Sequence, residues 1–178
     1  VSPNPIPARS TAELTYTITA DRSLWGKNYY WAVPVINGKT YTSSEGDKKI
    51  GFWAFTREDF SNATADQKRN GPRPTFKEST YSFGKVRQGQ KVNATYTFKN
   101  DGKAPFKVYK VDADAVISCT GVPEAAAGES VTFSIELDTK DMAKGESLTI
   151  VTLTTNSPLR PIVNLFIPFT TRQTPAKS

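Results

Sequence analysis

Three stretches of this chain alternate apolar and polar residues with a period of two, and that alternation limits the fold more than any other feature. Val92, Ala94, Tyr96 and Phe98 alternate with Asn93, Thr95, Thr97 and Lys99. Val131, Phe133, Ile135 and Leu137 alternate with Thr132, Ser134, Glu136 and Asp138, and Ala12, Leu14, Tyr16 and Ile18 with Glu13, Thr15, Thr17 and Thr19. Successive side chains of a strand point to opposite faces, so each run reads as a half-buried antiparallel strand with one dry and one wet face. Leu148 to Leu153, Ile162 to Phe169 and Tyr29 to Ile36 carry apolar residues on both faces and read as strands sandwiched more deeply, or with one face inside and one against a neighbour. Turn signals separate the runs: Asn37-Gly38, Asn100-Asp101-Gly102-Lys103 and Asn156-Ser157-Pro158. Asn100-Asp101-Gly102 is expected to close a hairpin, with Gly102 supplying a positive φ. Phe106 and Val108 share a face and Val111 falls out of phase, which places a bulge near Lys110.

Helix is nearly absent. The best candidate runs from Ser61 to Arg69, where Thr64 and Gln67 stand at capping-box spacing. Gly71-Pro72-Arg73-Pro74 follows and suits neither a helix nor a central strand, so residues 61–74 read as a linker. The segments on either side resemble one another. Ala12 to Ile18 has the inside/outside pattern of Val131 to Leu137, an offset of 119 residues (131 − 12). At that offset Gly26 falls on Gly145, Asn37 on Asn156, and Tyr29 and Trp31 on Leu148 and Ile150. The opening strands of the second copy, Phe76 to about Gly121, would map ahead of Val1. The expected organisation is therefore a partial module of later strands at 1–60, the linker at 61–74, and a complete seven- or eight-stranded sandwich at 75–178. A half sandwich leaves apolar faces and strand edges open, to be completed by preceding residues, a second copy, the other module or a partner's strand.

Composition removes several classes of activity. The 178 residues include no His, which eliminates the usual general base and every Ser-His-Asp or Cys-His arrangement. One Cys excludes an intrachain disulfide and a multi-thiolate zinc site. No run approaches the roughly 18 apolar residues of a membrane-spanning helix. Lys and Arg outnumber Asp and Glu by 23 to 17, but they are scattered among the acids, with Lys48-Lys49 and Lys68-Arg69 the densest pairs. That distribution is a solvated surface, not a nucleic-acid interface. The chain starts Val1-Ser2-Pro3 with neither Met nor a charged-then-apolar leader, which reads as a processed or truncated product.

The back half carries family motifs. Tyr81-Ser82-Phe83-Gly84-Lys85-Val86-Arg87-Gln88-Gly89-Gln90-Lys91-Val92 is followed by Tyr96-Thr97-Phe98-Lys99-Asn100-Asp101-Gly102-Lys103-Ala104-Pro105. Ile117-Ser118-Cys119-Thr120, Ala127-Gly128-Glu129-Ser130, Asp138-Thr139-Lys140 and Thr154-Thr155-Asn156-Ser157-Pro158 come next, in the family's order. Over about residues 76–171 the chain resembles the DUF1573 family, bacterial immunoglobulin-like β-sandwiches akin to ASH and major-sperm-protein domains. Residues 1–60 look like a diverged partial copy. The resemblance implies an all-β fold and an extracytoplasmic bacterial protein, in the periplasm or at the cell surface, with any membrane tether in a removed N-terminal segment. Many relatives carry Cys-Gly-Cys where this chain has Cys119-Thr120-Gly121, so no thiol-pair or metal chemistry transfers. These motifs make folds, and they specify architecture far more than activity.

The expected function is non-catalytic, without cofactor or metal: a scaffold that binds another protein, or a second copy, through strand edges and loops. Trp25, Tyr30 and Trp53, with the edge formed by Leu14, Tyr16 and Ile18, are the candidate interaction residues. Tyr29 and Trp31 are assigned to a core strand, because they fall on Leu148 and Ile150. The alternative is a carbohydrate-binding accessory domain that stacks sugars on Trp25 and Tyr30. Cys119 reads as a small apolar residue at a strand end rather than a reactive thiol. Glu58-Asp59 and Asp112/Asp114 read as loop acids, since no calcium-loop pattern surrounds them. Asn62-Ala63-Thr64 and Asn93-Ala94-Thr95 match the glycosylation sequon, which has meaning only in a eukaryotic secretory pathway.

Overall fold

The computed structural model describes residues 5–13, 15–21, 23–43, 46–47, 49–121 and 123–173. In the front part β1 (Gly26–Ala32) pairs antiparallel with β6 (Ile50–Thr56). Two short hairpins lie between them in sequence: β2 (Val35–Ile36) with β3 (Lys39–Thr40), and β4 (Thr42–Ser43) with β5 (Gly46–Asp47). Helix α1 (Ala65–Asn70) follows, and its N-cap is the expected capping box. Gln67 N donates to Thr64 Oγ1 at 3.2 Å, and Thr64 N donates to Gln67 Oε1 at 2.8 Å.

The remaining strands are β7 (Pro74–Phe76), β8 (Gly84–Arg87), β9 (Lys91–Asn100), β10 (Phe106–Asp112) and β11 (Ile117–Thr120), then β12 (Glu124–Ala125), β13 (Ser130–Asp138), β14 (Gly145–Thr155) and β15 (Ile162–Arg172). They form a sandwich of a five-stranded sheet, in the order β12-β10-β14-β15-β8, and a four-stranded sheet, β11-β13-β9-β7. Only β8, beside β15, is parallel to its neighbour. The chain is all-β, as the alternation predicts, and its sandwich is immunoglobulin-like, as the family resemblance implies. The alternating residues Ala94, Tyr96 and Phe98 of β9, and Phe133, Ile135 and Leu137 of β13, are buried against Val151, Leu153, Leu165 and Ile167 of the other sheet. Phe98 sits at the centre, 5.2 Å from the Phe76 ring and 5.1 Å, edge to face, from Phe106. The Tyr96 hydroxyl crosses the sandwich and donates to the Phe166 carbonyl at 3.2 Å, and burial pushes its pKa up to about 12. The β10–β14 register slips between Val108 and Lys110, where the phase change places a bulge.

Four local expectations are corrected. Asn100-Asp101-Gly102 does not close a hairpin, because β9 and β10 belong to opposite sheets and the turn arches between them. Gly102 is not at positive φ. A side chain there is excluded instead by the approaching linker, since a Cβ would lie 2.7 Å from Arg73 N. Asn100 is wholly buried and ties the arch together: its Oδ1 accepts from Arg73 N and Gly102 N, and its Nδ2 donates to the carbonyls of Ala104, Ala125 and Ala126. Second, β14 is covered on one face only, with Leu148 58% and Ile150 38% exposed. β15 likewise exposes Asn164 between buried Val163 and Leu165. Third, Tyr29 to Ile36 is not one strand, because Val33 and Pro34 interrupt it. Fourth, in residues 12–18 only Glu13 makes a bridge among the described positions. Alternation prescribes a face, but a strand also needs a neighbour for its backbone groups. Leu14 lies outside the described residues.

Candidate functional site

The β1–β6 hairpin stands on the outer face of the five-stranded sheet, at the end of β10. Val111 of β10 is paired with the buried Leu153, so the alternate residues Lys110 and Asp112 point outward. They grip the backbone of one hairpin residue on both sides of its Cα. Lys27 N donates to Asp112 Oδ2 at 2.9 Å, and Lys110 Nζ donates to the Lys27 carbonyl at 2.8 Å while pairing with Asp112 Oδ1 at 3.0 Å. Beside this clamp the Trp25 indole stacks on the Tyr109 ring, with centroids 4.2 Å apart and planes 12° from parallel. The Tyr109 hydroxyl donates to Glu58 Oε2 at 2.8 Å. Burial, followed by that bond and the charge of Glu58, pushes the Tyr109 pKa up to about 12.

The pairing Lys27↔Phe55, Tyr29↔Trp53 and Trp31↔Gly51 puts these residues on one face of the hairpin. Trp31 (63% exposed) lies across Gly51, where a Cβ would come within 2.6 Å of its Cε3, and it stacks with Tyr29 (59% exposed) at 6.5 Å. Trp53, also 59% exposed, faces Tyr29 across the strands. Lys27 Nζ sits 5.1 Å from the Tyr29 ring centre and 5.2 Å from that of Trp53. The opposite face carries Tyr30 stacked on Phe52 at 5.5 Å, and Tyr16 covers Phe52 at 5.6 Å.

The expected interaction residues are therefore dispersed. Trp53 is on the open aromatic face. Trp25 is half-buried against Tyr109, and Tyr30 is half-buried on the other face with a hydroxyl that has no partner among the described residues. Tyr16 and Ile18 are at the edge of exposure, Tyr16 packed on Phe52. The core assignment of Tyr29 and Trp31 is overturned. The residues they fall on, Leu148 and Ile150, are themselves outward-facing, so reading β14 as covered on both sides carried the error across. Lys27 was the missed signal: a charge in phase with Tyr29 and Trp31 marks that face as the wet one. Cys119 is half-buried on β11 against the core, and burial raises its thiol pKa, as befits an unreactive side chain.

Among the described residues no group of three or more Asp, Glu or Cys is placed to hold a metal ion, and no helix is long and apolar enough to cross a membrane. The two packed sheets, antiparallel throughout except where β8 runs parallel to β15, define an immunoglobulin-like β-sandwich. The profile of DUF1573, a protein family of unknown function, matches residues 74–167, and the chain belongs to that family. The structure is similar to that of a protein of unknown function from Porphyromonas gingivalis W83, with a TM-score of 0.65 and 14% identity over 85% of this chain and 68% of that one. That coverage exceeds what the sandwich alone supplies, so the likeness takes in part of the front region. It is also similar to the ASH/PapD-like domain (PapD-like domain 7) of human CEP192, with a TM-score of 0.46 and 10% identity over 64% and 92% of the two chains. A third similar structure is the Pseudomonas aeruginosa CupB2 chaperone, with a TM-score of 0.41 and 12% identity over 55% of each. At these identities the likeness concerns fold alone. No curated protein matches the chain in sequence.

Proposed function

We propose that the chain is a non-catalytic, extracytoplasmic module that binds another protein through the open face and edges of the β1–β6 hairpin. The observation behind this reading is the row formed by Tyr29, Trp31 and Trp53, three large rings more than half exposed on one two-stranded sheet. Isolated apolar side chains at a surface are ordinary, whereas a contiguous aromatic patch is characteristic of a contact surface. Both strands of the hairpin are also edges, so a partner's extended segment has backbone groups to pair with as well as rings to cover. The sandwich serves as a rigid mount that fixes the hairpin through the Lys110–Asp112 clamp. The partial-module organisation fits this reading, since a sheet with one lightly covered face and one bare face is completed by a partner. The sugar platform expected on Trp25 and Tyr30 gains no support as a pair, because the two rings are engaged at separate places.

The test is amide hydrogen exchange over residues 26–32 and 50–56, at rising protein concentration and then with an extract of cell-surface proteins. Slowed exchange confined to these strands, abolished by Trp31→Ala together with Trp53→Ala, supports the reading. Unchanged exchange in both settings overturns it.

A further inference from the structure

At the foot of the hairpin the strap at residues 19–20 and the end of β6 enclose a cleft of about 800 Å³ lined by Trp25, Phe55, Thr56, Arg57, Glu58 and Asp59. We propose that this cleft is a binding site for a neutral pyranose glycan, separate from the protein-binding face. Its size falls within the range of small-ligand pockets, which combine an apolar wall with a few placed polar groups. The apolar wall is prearranged. Trp25 is stacked on Tyr109, and Tyr109 is held by Glu58, so the indole is fixed before any ligand arrives. An immobilised indole presents the kind of flat surface on which the C–H face of a sugar ring packs.

The polar groups narrow the chemistry further. Glu58 uses Oε2 on Tyr109 and leaves Oε1 without a partner among the described residues. Asp59 engages the Ser61 backbone through Oδ1, and these bonds keep its carboxyl below the usual carboxylate range. Thr56 contributes a hydroxyl with no partner among the described residues. A full anion entering the cleft meets two carboxylates, and the Arg57 guanidinium already supplies those carboxylates with a cation beside them. A neutral ligand with adjacent hydroxyls, each of which both donates and accepts, suits donors and acceptors set side by side. Phe55 alone is shared with the face that carries Tyr29, Trp31 and Trp53; Trp25, Thr56, Arg57, Glu58 and Asp59 lie outside that row, so the two sites are separable by substitution at those positions.

The experiment is isothermal titration of the whole chain with cellotetraose, xylotetraose, mannotetraose and maltotetraose, with thermal melts of each variant as a control for folding. At least one tetrasaccharide is expected to bind. Trp25→Ala should abolish binding, and Arg57→Ala and Glu58→Gln should each weaken it by about tenfold or more. Because Trp25→Ala also removes the Tyr109 contact, Arg57→Ala is the decisive variant: it sits on the cleft rim and touches neither clamp nor stack. Trp53→Ala should leave the titration unchanged while it weakens the protein-binding face. Absence of binding by all four sugars overturns the proposal, as does binding that survives Arg57→Ala or is lost with Trp53→Ala.

Discussion

The opening strands of the β1–β6 and β14–β15 hairpins follow one plan in sequence and live in different surroundings. β14–β15 and β1–β6 each open on a glycine at positive φ, Gly145 and Gly26, and each sets large apolar residues on the outward face: Leu148 and Ile150 in one, Tyr29 and Trp31 in the other. The inner face of β14–β15 lies against a second sheet, so Val151, Leu153, Leu165 and Ile167 are fully buried. On the inner face of β1–β6 the ring contacts among the described residues are the Tyr16 ring over the Tyr30–Phe52 stack. The same strand plan thus becomes core in one place and surface in the other, according to what is packed opposite. Stability should be concentrated in the sandwich, and the hairpin should depend on its footing.

Substituting the centre of the sandwich gives the largest contrast. Phe98→Ala removes a ring in contact with Phe76, Phe106 and Phe133 and is expected to cost about 3–5 kcal/mol, read as a lower denaturation midpoint for the whole β7–β15 unit. A next-smaller effect comes from Asp112→Ala, which strips the Lys27 amide of its acceptor and Lys110 of its ion-pair partner. A local cost of about 1–2 kcal/mol should appear as faster exchange in residues 25–32, with the sandwich transition nearly unmoved. Global unfolding at a shifted midpoint would instead make hairpin and sandwich one cooperative unit.

Alkaline pH sharpens the same comparison. Tyr96 and Tyr109 both have folded pKa values near 12 against an ordinary 10.0, so above pH 10 the unfolded chain releases protons that the folded chain retains. Stability contributed by both groups is complete below about pH 10 and declines as pH rises toward 12. Tyr109→Phe should remove this dependence from hairpin exchange and leave it in the sandwich melt, where Tyr96 acts. The smallest effect is expected of Trp53→Ala. An exposed ring on a free face should cost no more than about 0.5 kcal/mol in a thermal melt, even as partner binding fails.

The sandwich was legible because its strands separate wet from dry cleanly: Ala94, Tyr96 and Phe98 against Asn93, Thr95 and Thr97 leave one choice of inner face. The capping box of α1 and the bulge beside Lys110 were legible for the same local reason, a spacing that only one geometry satisfies. The candidate site was harder. In Tyr29-Tyr30-Trp31 both faces are aromatic, so periodicity alone cannot choose the outer one, and the repeat transferred a misreading of β14 onto β1. The clamp was invisible, since Lys110 and Asp112 are ordinary surface residues until the hairpin is set on them. Asn100 looked like a turn residue because its role depends on two segments distant in sequence, at Arg73 and at Ala125–Ala126.

The clamp has a mechanical consequence. Tension between the two ends of this chain loads the Lys27 backbone contacts and the Trp25–Tyr109 stack at the front and β15 at the back in series. The footing holds by far fewer bonds than the β14–β15 ladder, so the front of the molecule is expected to pay out as slack while the back stays folded. A chain built this way would act as a shock absorber, losing a replaceable foothold under load and regaining it at rest.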